Sequence, residues 1–496
     1  MINIALNLSY FAMRVFIFFV LFFNSFLSFS QTQVSGSEVS GEPFSLKACV
    51  DFALANNVSL KQTQMSVSSS QVVLEQSKYL KYPTVNGQFG LNGNAGRNVD
   101  PFSNSIVTKA IGTNNVGIGA NLIVYNGNQV QNTISRNELS LNAAKMDVEA
   151  QKNNVALQVA VAYLNVLSSE DLIEVAKKQL EVSNLQLERT QKLVRAGAIA
   201  ETNLFDLEAQ IANDELSVIN AENSHESAIL TLKQAMNAPF ETNIKVLRIE
   251  VPNPNMINYT EKANEIYQVA TGYLPEIKAG ELRLKVADRN IAIAKALGKP
   301  TISVNTSWGT AYSSVAKRLL DAGTSSNQIP VSADFQGQTI PFVINFPQQN
   351  FNRENIPYFS QIGNNQNLNL GITMRIPIFN GYNQRFQTQA TTIQKKQVDL
   401  QIQNVKLQIR QTIDQAYITM LNAQKRYSAT LVQTAALEKS FKATESRYSA
   451  GAGNFVDYNL AKTNLDRAKS NLVVAKYDYI FRIKILDFYQ NKPLEF

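Results

Sequence analysis

The chain has few of the residues from which metal centres, disulfides and nucleophilic active sites are built. Its 496 residues include one cysteine, Cys49, and one histidine, His225. A single cysteine excludes an intrachain disulfide, and these two residues are too few for a cluster of His and Cys metal ligands. His225 falls in the apolar seam of a helical pattern, so we interpret it as a packing residue. Because the sequence also lacks a glycine-rich phosphate loop and a catalytic triad, it predicts neither an enzyme nor a bound cofactor.

Charge and long apolar runs are also scarce. Charged residues make up 17% of the chain, and the net charge of +7 arises from Lys and Arg interspersed with Asp and Glu, without a basic block. This pattern is typical of solvated helix faces and does not predict nucleic-acid binding. The most apolar run, residues 15–23, lies within residues 1–30, which have the composition of a secretory signal peptide. No later segment is long and apolar enough to cross a membrane as a helix.

Glycine and proline are missing from two long stretches, residues 128–196 and 382–450. Apolar residues recur in them at alternating spacings of three and four, which predicts one helix of roughly 100 Å in each, at about 1.5 Å per residue. The two stretches align without a gap, so that Gly197 is matched by Gly451, 254 residues further on. An ungapped repeat of this length predicts two copies of one structural unit.

Each unit has the same predicted order of elements: a helix, a strand, a loop, a second strand, the long helix and a return helix. We expect the first unit at 31–239, a linker at 240–262 and the second unit at 263–496. The elements are β-hairpins at about 84–124 and 301–378, long helices at 128–196 and 382–450, and return helices to 237 and at 454–490. Each return helix ends before a proline, which cannot continue a helix.

The strand segments alternate apolar and polar residues, as where Ile302 and Val304 flank Ser303. Their length suits a membrane-spanning strand, and a soluble sheet with one wet face gives the same alternation. Four strands are too few to close a barrel with a lumen, and lipid does not tolerate open edges. A membrane location therefore requires strands from several chains. Between the second pair of strands, residues 347–369 have the composition of an exposed, mobile loop.

Two segments carry a family resemblance: residues 370–381, LGITMRIPIFNG, and residues 447–451, RYSAG, with Asp457 six residues after the last glycine. Together with the order of elements and the duplication, they resemble the TolC-like outer-membrane efflux proteins over nearly the whole mature chain. The resemblance implies a fold that combines α-helices with a membrane β-barrel. In this fold a homotrimer shares a twelve-stranded barrel, four strands per protomer, and long antiparallel coiled-coil helices form an α-helical tunnel.

The resemblance also implies a function and partners. It implies an exit duct in the outer membrane of a Gram-negative bacterium, with the helical tunnel in the periplasm, as part of a tripartite efflux or type I secretion system. The implied partners are a periplasmic adaptor, an inner-membrane pump of the RND, ABC or MFS class, and outer-membrane lipid. Small molecules and proteins both fit this interpretation as cargo. The alternative is an exported coiled-coil structural or adhesive protein, whose alternating segments are soluble hairpins.

The resemblance assigns entrance residues to the helical tips. Tyr448 occupies the position of a tyrosine that helps to hold the periplasmic entrance shut, and Asn203, beside Thr202, occupies that of its aspartate partner. We therefore expect a hydrogen bond between Tyr448 and Asn203. A family arginine is replaced by Gly453, so a charged link at the entrance is expected to be missing. Tyr448 also lies in the packing seam, and a purely structural role is the alternative.

Three further residues at the tips have an implied role. Asp457 matches one of two constriction aspartates of the family, while Leu460 stands at the position of the other. Three copies of Asp457 around an axis could select cations. Asp457 also lies three residues after Asn454, so the alternative is an acidic residue that stabilises a helix N-terminus. Gly197 and Gly451 mark the turns at which an adaptor would dock.

Overall fold

The computed structural model describes residues 43–99, 104–108, 110–197, 199–248 and 259–492. The signal peptide expected at 1–30 lies outside these residues, as does much of the expected linker. Within the described part of the chain, no helix combines the length and the hydropathy needed to cross a membrane.

The helices dominate both units. The first unit contains α1 (Leu46–Asn56), α2 (Val58–Tyr79), α3 (Gln129–Arg195) and α4 (Thr202–Met236). The second contains α5 (Ala263–Tyr273), α6 (Pro275–Ala296), α7 (Tyr358–Asn364), α8 (Asn383–Ser449) and α9 (Phe455–Phe488). α3 and α8 have 67 residues each. Because neither contains proline, no backbone hydrogen bond is lost along roughly 100 Å of helix.

The opening helix of each unit is broken into two, although its pattern predicts one. Asn57 separates α1 from α2, and its side chain caps α2 by accepting a hydrogen bond from the Leu60 backbone N–H at 2.9 Å. Leu274 takes the same place between α5 and α6, where Pro275 begins α6. A capping asparagine and a proline at the first helical position both favour a new helix start, which apolar periodicity alone does not reveal.

The strands of both units form one main sheet. The strands are β1 (Thr84–Asn94), β2 (Arg97–Val99), β3 (Ile106–Thr108), β4 (Ile111–Asn126), β5 (Thr301–Ser313), β6 (Lys317–Phe335), β7 (Gln338–Asn355) and β8 (Asn367–Arg375). Four of them form an antiparallel sheet in the order β1-β4-β5-β8, in which β4 and β5 join the two units. β2 pairs with β3, and β6 pairs with β7.

The segment between β5 and β8 is largely a β-hairpin, so the prediction of a loop there is wrong. β6 and β7 pair from Lys317 opposite Asn355 to Phe335 opposite Gln338, and α7 follows. Apolar residues do alternate within residues 329–346, but the surrounding Gly, Asn, Gln and Pro give the segment the composition of a loop. Pairing between the two halves, rather than strand propensity, determines the structure of this segment.

The apolar core runs along the helices. α3 packs against α2, α4 and α6, and α8 packs against α6 and α9. In the first unit the fully buried Tyr163 donates a hydrogen bond to the Leu247 carbonyl at 2.7 Å, which fastens the start of the linker to α3. The long antiparallel helices, the internal duplication and the four strands of the main sheet confirm the predicted fold class.

Candidate functional site at the helical tips

Each helical hairpin turns on a glycine with a left-handed backbone. Gly197 follows α3 with φ 71°, and Gly451 follows α8 with φ 75°. Residues with a Cβ are strained at these angles, so glycine ends each helix without strain. The Gly451 backbone N–H donates to the Tyr448 carbonyl at 3.1 Å, and that of Gly197 donates to the Val194 carbonyl at 2.9 Å. Both expected docking turns therefore lie at the tips, while docking itself stays a prediction.

Asp457 lies in the first turn of α9, where it stabilises the start of the helix. The Asn454 side chain accepts a hydrogen bond from the Asp457 backbone N–H at 2.7 Å. The Asp457 carboxylate lies near the positive end of the helix dipole, which favours an acidic residue there. Asp457 and Leu460 are both exposed in the single chain. Asp457 therefore has the position of an acidic residue that stabilises a helix N-terminus, and its carboxylate is accessible on the surface of the protomer.

Tyr448 belongs to an aromatic cluster rather than to the expected hydrogen bond. Its ring stacks on Tyr458 at 5.1 Å between centroids and meets Phe455 edge-on at 6.1 Å. Its hydroxyl is buried, and no described residue meets hydrogen-bond geometry with it. Burial raises the pKa of Tyr448, an effect that Thr190 and Arg189 oppose. The expected bond to Asn203 is therefore absent within the described chain, because Tyr448 turns into the apolar seam.

Asn203 and Thr202 lie at the start of α4, on the other hairpin. Thr202 is exposed and Asn203 is half-buried. The Asn203 backbone N–H donates to the Ala200 carbonyl at 3.2 Å, a bond that belongs to the first turn of the helix. Their placement at the tip agrees with the resemblance, whereas their part in closing the entrance stays a prediction.

Arg189 supplies a charged link between the two tips, from a position other than that of the family arginine. The loss of the family arginine's own link at Gly453 stays a prediction. Its Nη1 donates to Ser449 Oγ at 2.6 Å, and its Nη2 donates to the Ser449 carbonyl at 3.1 Å. Arg189 lies near the end of α3 and Ser449 is the last residue of α8. The link therefore joins the first unit to the second. A Cβ at Gly453 would lie 3.1 Å from the Tyr448 backbone nitrogen, so the turn has little room for an arginine there.

A buried ion cluster joins the same two units further along α9. Lys462, 2% exposed, places its Nζ 2.9 Å from Asp214 Oδ2 and 2.7 Å from Asp466 Oδ2. Ser183 and Gln210 also donate hydrogen bonds to the Asp214 carboxylate. Burial raises the pKa of Asp466, and the Lys462 charge opposes that rise. Because Asp214 lies on α4, the cluster fixes α9 against the first unit.

Sequence reasoning missed both Arg189 and Lys462. Lys462 directly follows Ala461 and lies three residues before Leu465 in the return helix, and a lysine among such apolar residues could have signalled a buried partner. Asp466, four residues further along the helix, was a readable partner, whereas Asp214 could not be predicted because it is 248 residues away in the sequence. Arg189 gave no signal, since an exposed arginine in a long helix is ordinary.

The main sheet has one apolar and one polar face. The strand register places Ile118 opposite Trp308 and Trp308 opposite Leu368, so that apolar residues continue from strand to strand. On the other face, Asn121 donates to Asn305, which in turn donates to Thr373 Oγ1 at 3.1 Å. Among the residues that the structure describes, nothing covers the apolar face, since the β8 residues that it contains are more than half exposed.

Comparisons with known proteins identify the family of the chain. The family model described as Outer membrane efflux protein matches residues 50–238 and 266–482. The chain is 22% identical to the outer membrane protein TolC of Escherichia coli over 344 residues, which are 67% of this chain and 60% of that protein. It is 20% identical to the protein CyaE of Bordetella pertussis over 444 residues, 88% of this chain and 81% of that protein.

A solved structure has the same fold. The outer membrane protein VceC from Vibrio cholerae superposes with a TM-score of 0.67 at 13% sequence identity, covering 91% of this chain and 97% of that one. The family match itself begins within α1, ends within α9 and covers most of both units. The chain therefore belongs to the outer membrane efflux protein family.

Proposed function

We propose that the chain is one protomer of an outer-membrane exit duct. The duct passes small molecules or proteins from an inner-membrane pump across the periplasm and the outer membrane. The observation that carries this proposal is the main sheet, with its apolar face, its polar face and, among the described strands, an open edge at β1 and at β8. In lipid, a sheet needs an apolar face on the outside and a partner for every edge.

Three protomers meet both needs. Neighbouring strands alternate in direction in the order β1-β4-β5-β8, so β8 of one protomer can pair antiparallel with β1 of the next. Twelve strands then close a barrel with no free edge, and the polar face lines its lumen. The long helices leave the same end of the sheet and continue the duct as a tunnel into the periplasm of a Gram-negative cell.

The tips are the natural docking point for a partner. α3 and α8 each carry the chain roughly 100 Å away from the sheet before they turn at Gly197 and Gly451. We infer that a periplasmic adaptor binds these turns and connects the duct to a pump of the RND, ABC or MFS class. Photo-crosslinking in cells from a reactive residue at Ala196 tests this docking, and the absence of any periplasmic adduct would contradict it.

The experiment that tests the duct is the native mass of the chain extracted with detergent from the outer-membrane fraction. We expect three copies per particle and an ion-conducting channel when the particle is placed in a lipid bilayer. A monomer in the soluble periplasmic fraction would mean that the sheet does not meet lipid. That outcome would favour the exported coiled-coil structural or adhesive protein.

We further infer that residues at the tips hold the entrance of this duct. The Arg189–Ser449 link and the Tyr448 cluster would fix α8 against α3, with Asn203 and Thr202 beside the opening of the tunnel. Three copies of Asp457 would form an acidic ring on the axis, which attracts cations. Single-channel conductance of an Arg189→Ala variant tests the closure, and the cation preference of the wild-type channel tests the ring.

A further inference from the structure

The hairpin of β6 and β7 carries an apolar face that no described residue of the protomer covers. Its register pairs Ile329 with Ile344 and Val331 with Phe342, so that these side chains share one face. We call this face the apolar ribbon; its members are Ile329, Val331, Ala333, Ile340, Phe342, Ile344 and Phe346. Phe342 is 43% exposed and Ile340 is 52% exposed. An exposed run of this kind marks a binding surface.

The hairpin needs a partner for its own stability. A two-stranded hairpin alone is only marginally stable in water. Its base is held by Arg318, whose Nη2 lies 2.6 Å from Glu354 Oε2, and by α7, where Gln361 bonds to the backbone of Ser313. The ribbon lies beyond this base, so burial of the ribbon is the stabilising contribution that the protomer lacks.

The edges of the hairpin are unsuited to pairing with another strand. Pro330, Pro341 and Pro347 all occupy the face opposite the ribbon, at register positions facing Val343, Ser332 and Ser326. Proline has no backbone N–H and is accommodated where the missing donor would point away from the partner strand. Proline at an edge hinders the addition of another strand. The hairpin is therefore built to associate through its face.

The scarcity of charge on the hairpin indicates what kind of surface covers the apolar ribbon. Between Thr324 and Gln349 the only charged residue is Asp334, whereas the base contains Lys317, Arg318, Arg353 and Glu354. An anionic lipid surface attracts clustered Lys and Arg, which this part of the hairpin lacks. A charged protein partner would likewise find nothing to pair with. An equally apolar, uncharged surface fits best, and two further copies of the ribbon supply it.

We propose that the three ribbons of a trimer pack against one another and form a collar over the outer mouth of the barrel. This inference rests on the proposed function, because the trimer brings the ribbons together. β5 begins beside the helices and runs away from them before β6 starts, so the hairpin rises from the end of the sheet opposite the tunnel. Three hairpins on one rim meet at a high effective concentration, which favours packing between them.

Cysteine crosslinking tests the collar. In outer membranes carrying Phe342→Cys, a short bis-maleimide is expected to yield covalently linked dimers of the chain. The matched control is Val343→Cys, because Val343 is the next residue, is 52% exposed and faces the other way. We expect this control variant to yield no covalently linked dimers. The single native cysteine does not interfere, since Cys49 is buried and burial raises its pKa to about 12.

A second pair of variants, Val331→Cys on the ribbon and Ser332→Cys on the opposite face, shows whether the result depends on one particular substitution. The native mass of each variant is measured in parallel. A trimer whose ribbon cysteines form no links, or link no better than the controls, overturns the collar and leaves the duct intact. An adduct with a different protein overturns the collar in favour of a foreign partner. Ribbon cysteines that form no links and are shielded from water-soluble maleimide overturn it in favour of lipid. A monomer overturns the duct itself.

Discussion

The Arg189 guanidinium holds the end of α8 through two hydrogen bonds to one residue, Ser449. An exposed link of this kind stabilises a conformation by under about 1 kcal/mol. Three such links acting together in a trimer shift the equilibrium between the open and closed entrance several-fold or more towards the closed state. We expect Arg189→Ala to raise the mean single-channel conductance of the reconstituted trimer, because the two tips separate more easily.

The matched control for this variant is Lys192→Ala. Lys192 lies one turn further along α3, and its Nζ is 2.6 Å from Glu188 Oε1 within the same helix. Its removal changes the charge by the same amount but breaks no link between the hairpins. Conductance that rises equally in both variants would indicate an effect of charge and would remove Arg189 from the gate.

Individual residues differ in how far the sequence could predict them. The tip glycines and Asn454 were predictable, because a turn after a long helix and a cap before the next are local features. The packing position of Tyr448 was predictable from the seam, but its aromatic partners Tyr458 and Phe455 were not, since they lie across the turn. The same limit hides Ser449 as the partner of Arg189 and Asp214 as a partner of Lys462, since both lie on other helices.

The two units offer a matched pair of glycines at the start of their long helices. Gly127 and Gly381 occupy equivalent positions, with φ 67° and φ 64°. A Cβ at Gly127 would lie 2.7 Å from Lys299 Cβ and 3.1 Å from the Ala296 carbonyl, whereas a Cβ at Gly381 would meet nothing within 4 Å. Alanine at either position costs about 1–2 kcal/mol in the left-handed conformation. Gly127→Ala should cost more, because Lys299 and Ala296 must also move.

Circular dichroism of the detergent-solubilised protein measures this difference as the midpoint of thermal unfolding of the helices. We expect the order wild type, Gly381→Ala, Gly127→Ala from highest to lowest midpoint. Equal losses in the two variants would contradict the close packing of Gly127 against the end of α6.

Elements were predictable where one local signal decides the structure. α3 and α8 follow from the absence of glycine and proline along a regular apolar seam. The β6–β7 hairpin does not, since its strands contain prolines and many Asn and Gln residues, and only the pairing of its two halves makes them strands. The divided opening helices are a third case, because one cap at Asn57 outweighs continuous periodicity.

For the whole molecule, the Lys462 cluster is a buried ionic connection between the two units. Replacing Lys462 by methionine keeps the volume and leaves Asp214 and Asp466 buried without their cation. Removing one partner of a buried pair costs about 3–5 kcal/mol. We expect Lys462→Met to lower the thermal midpoint strongly at neutral pH, whereas Arg467→Met, an exposed change on the same helix, should have little effect.

The pH dependence of this loss follows from Asp466. Its pKa is raised above 3.8 in the folded chain, chiefly by burial. Such a carboxyl stabilises the fold most below its ordinary pKa, and the contribution is lost as the pH rises through the raised value. Lys462→Met removes the charge that opposes the rise, so its deficit against wild type should shrink as the pH falls towards 3.8. A deficit that does not change with pH would mean that lost packing, not charge, causes it.

α3 and α8 have equal lengths, 67 residues each, so the length of the molecule depends on both copies of the duplicated unit. One inserted residue turns everything beyond it by about 100° and so moves a helix's seam off its neighbours. A change in reach must therefore come in whole heptads and in both long helices with their return partners. A lineage facing a wider periplasm cannot lengthen this tunnel by small independent insertions; both copies of the ancient duplication have to grow together.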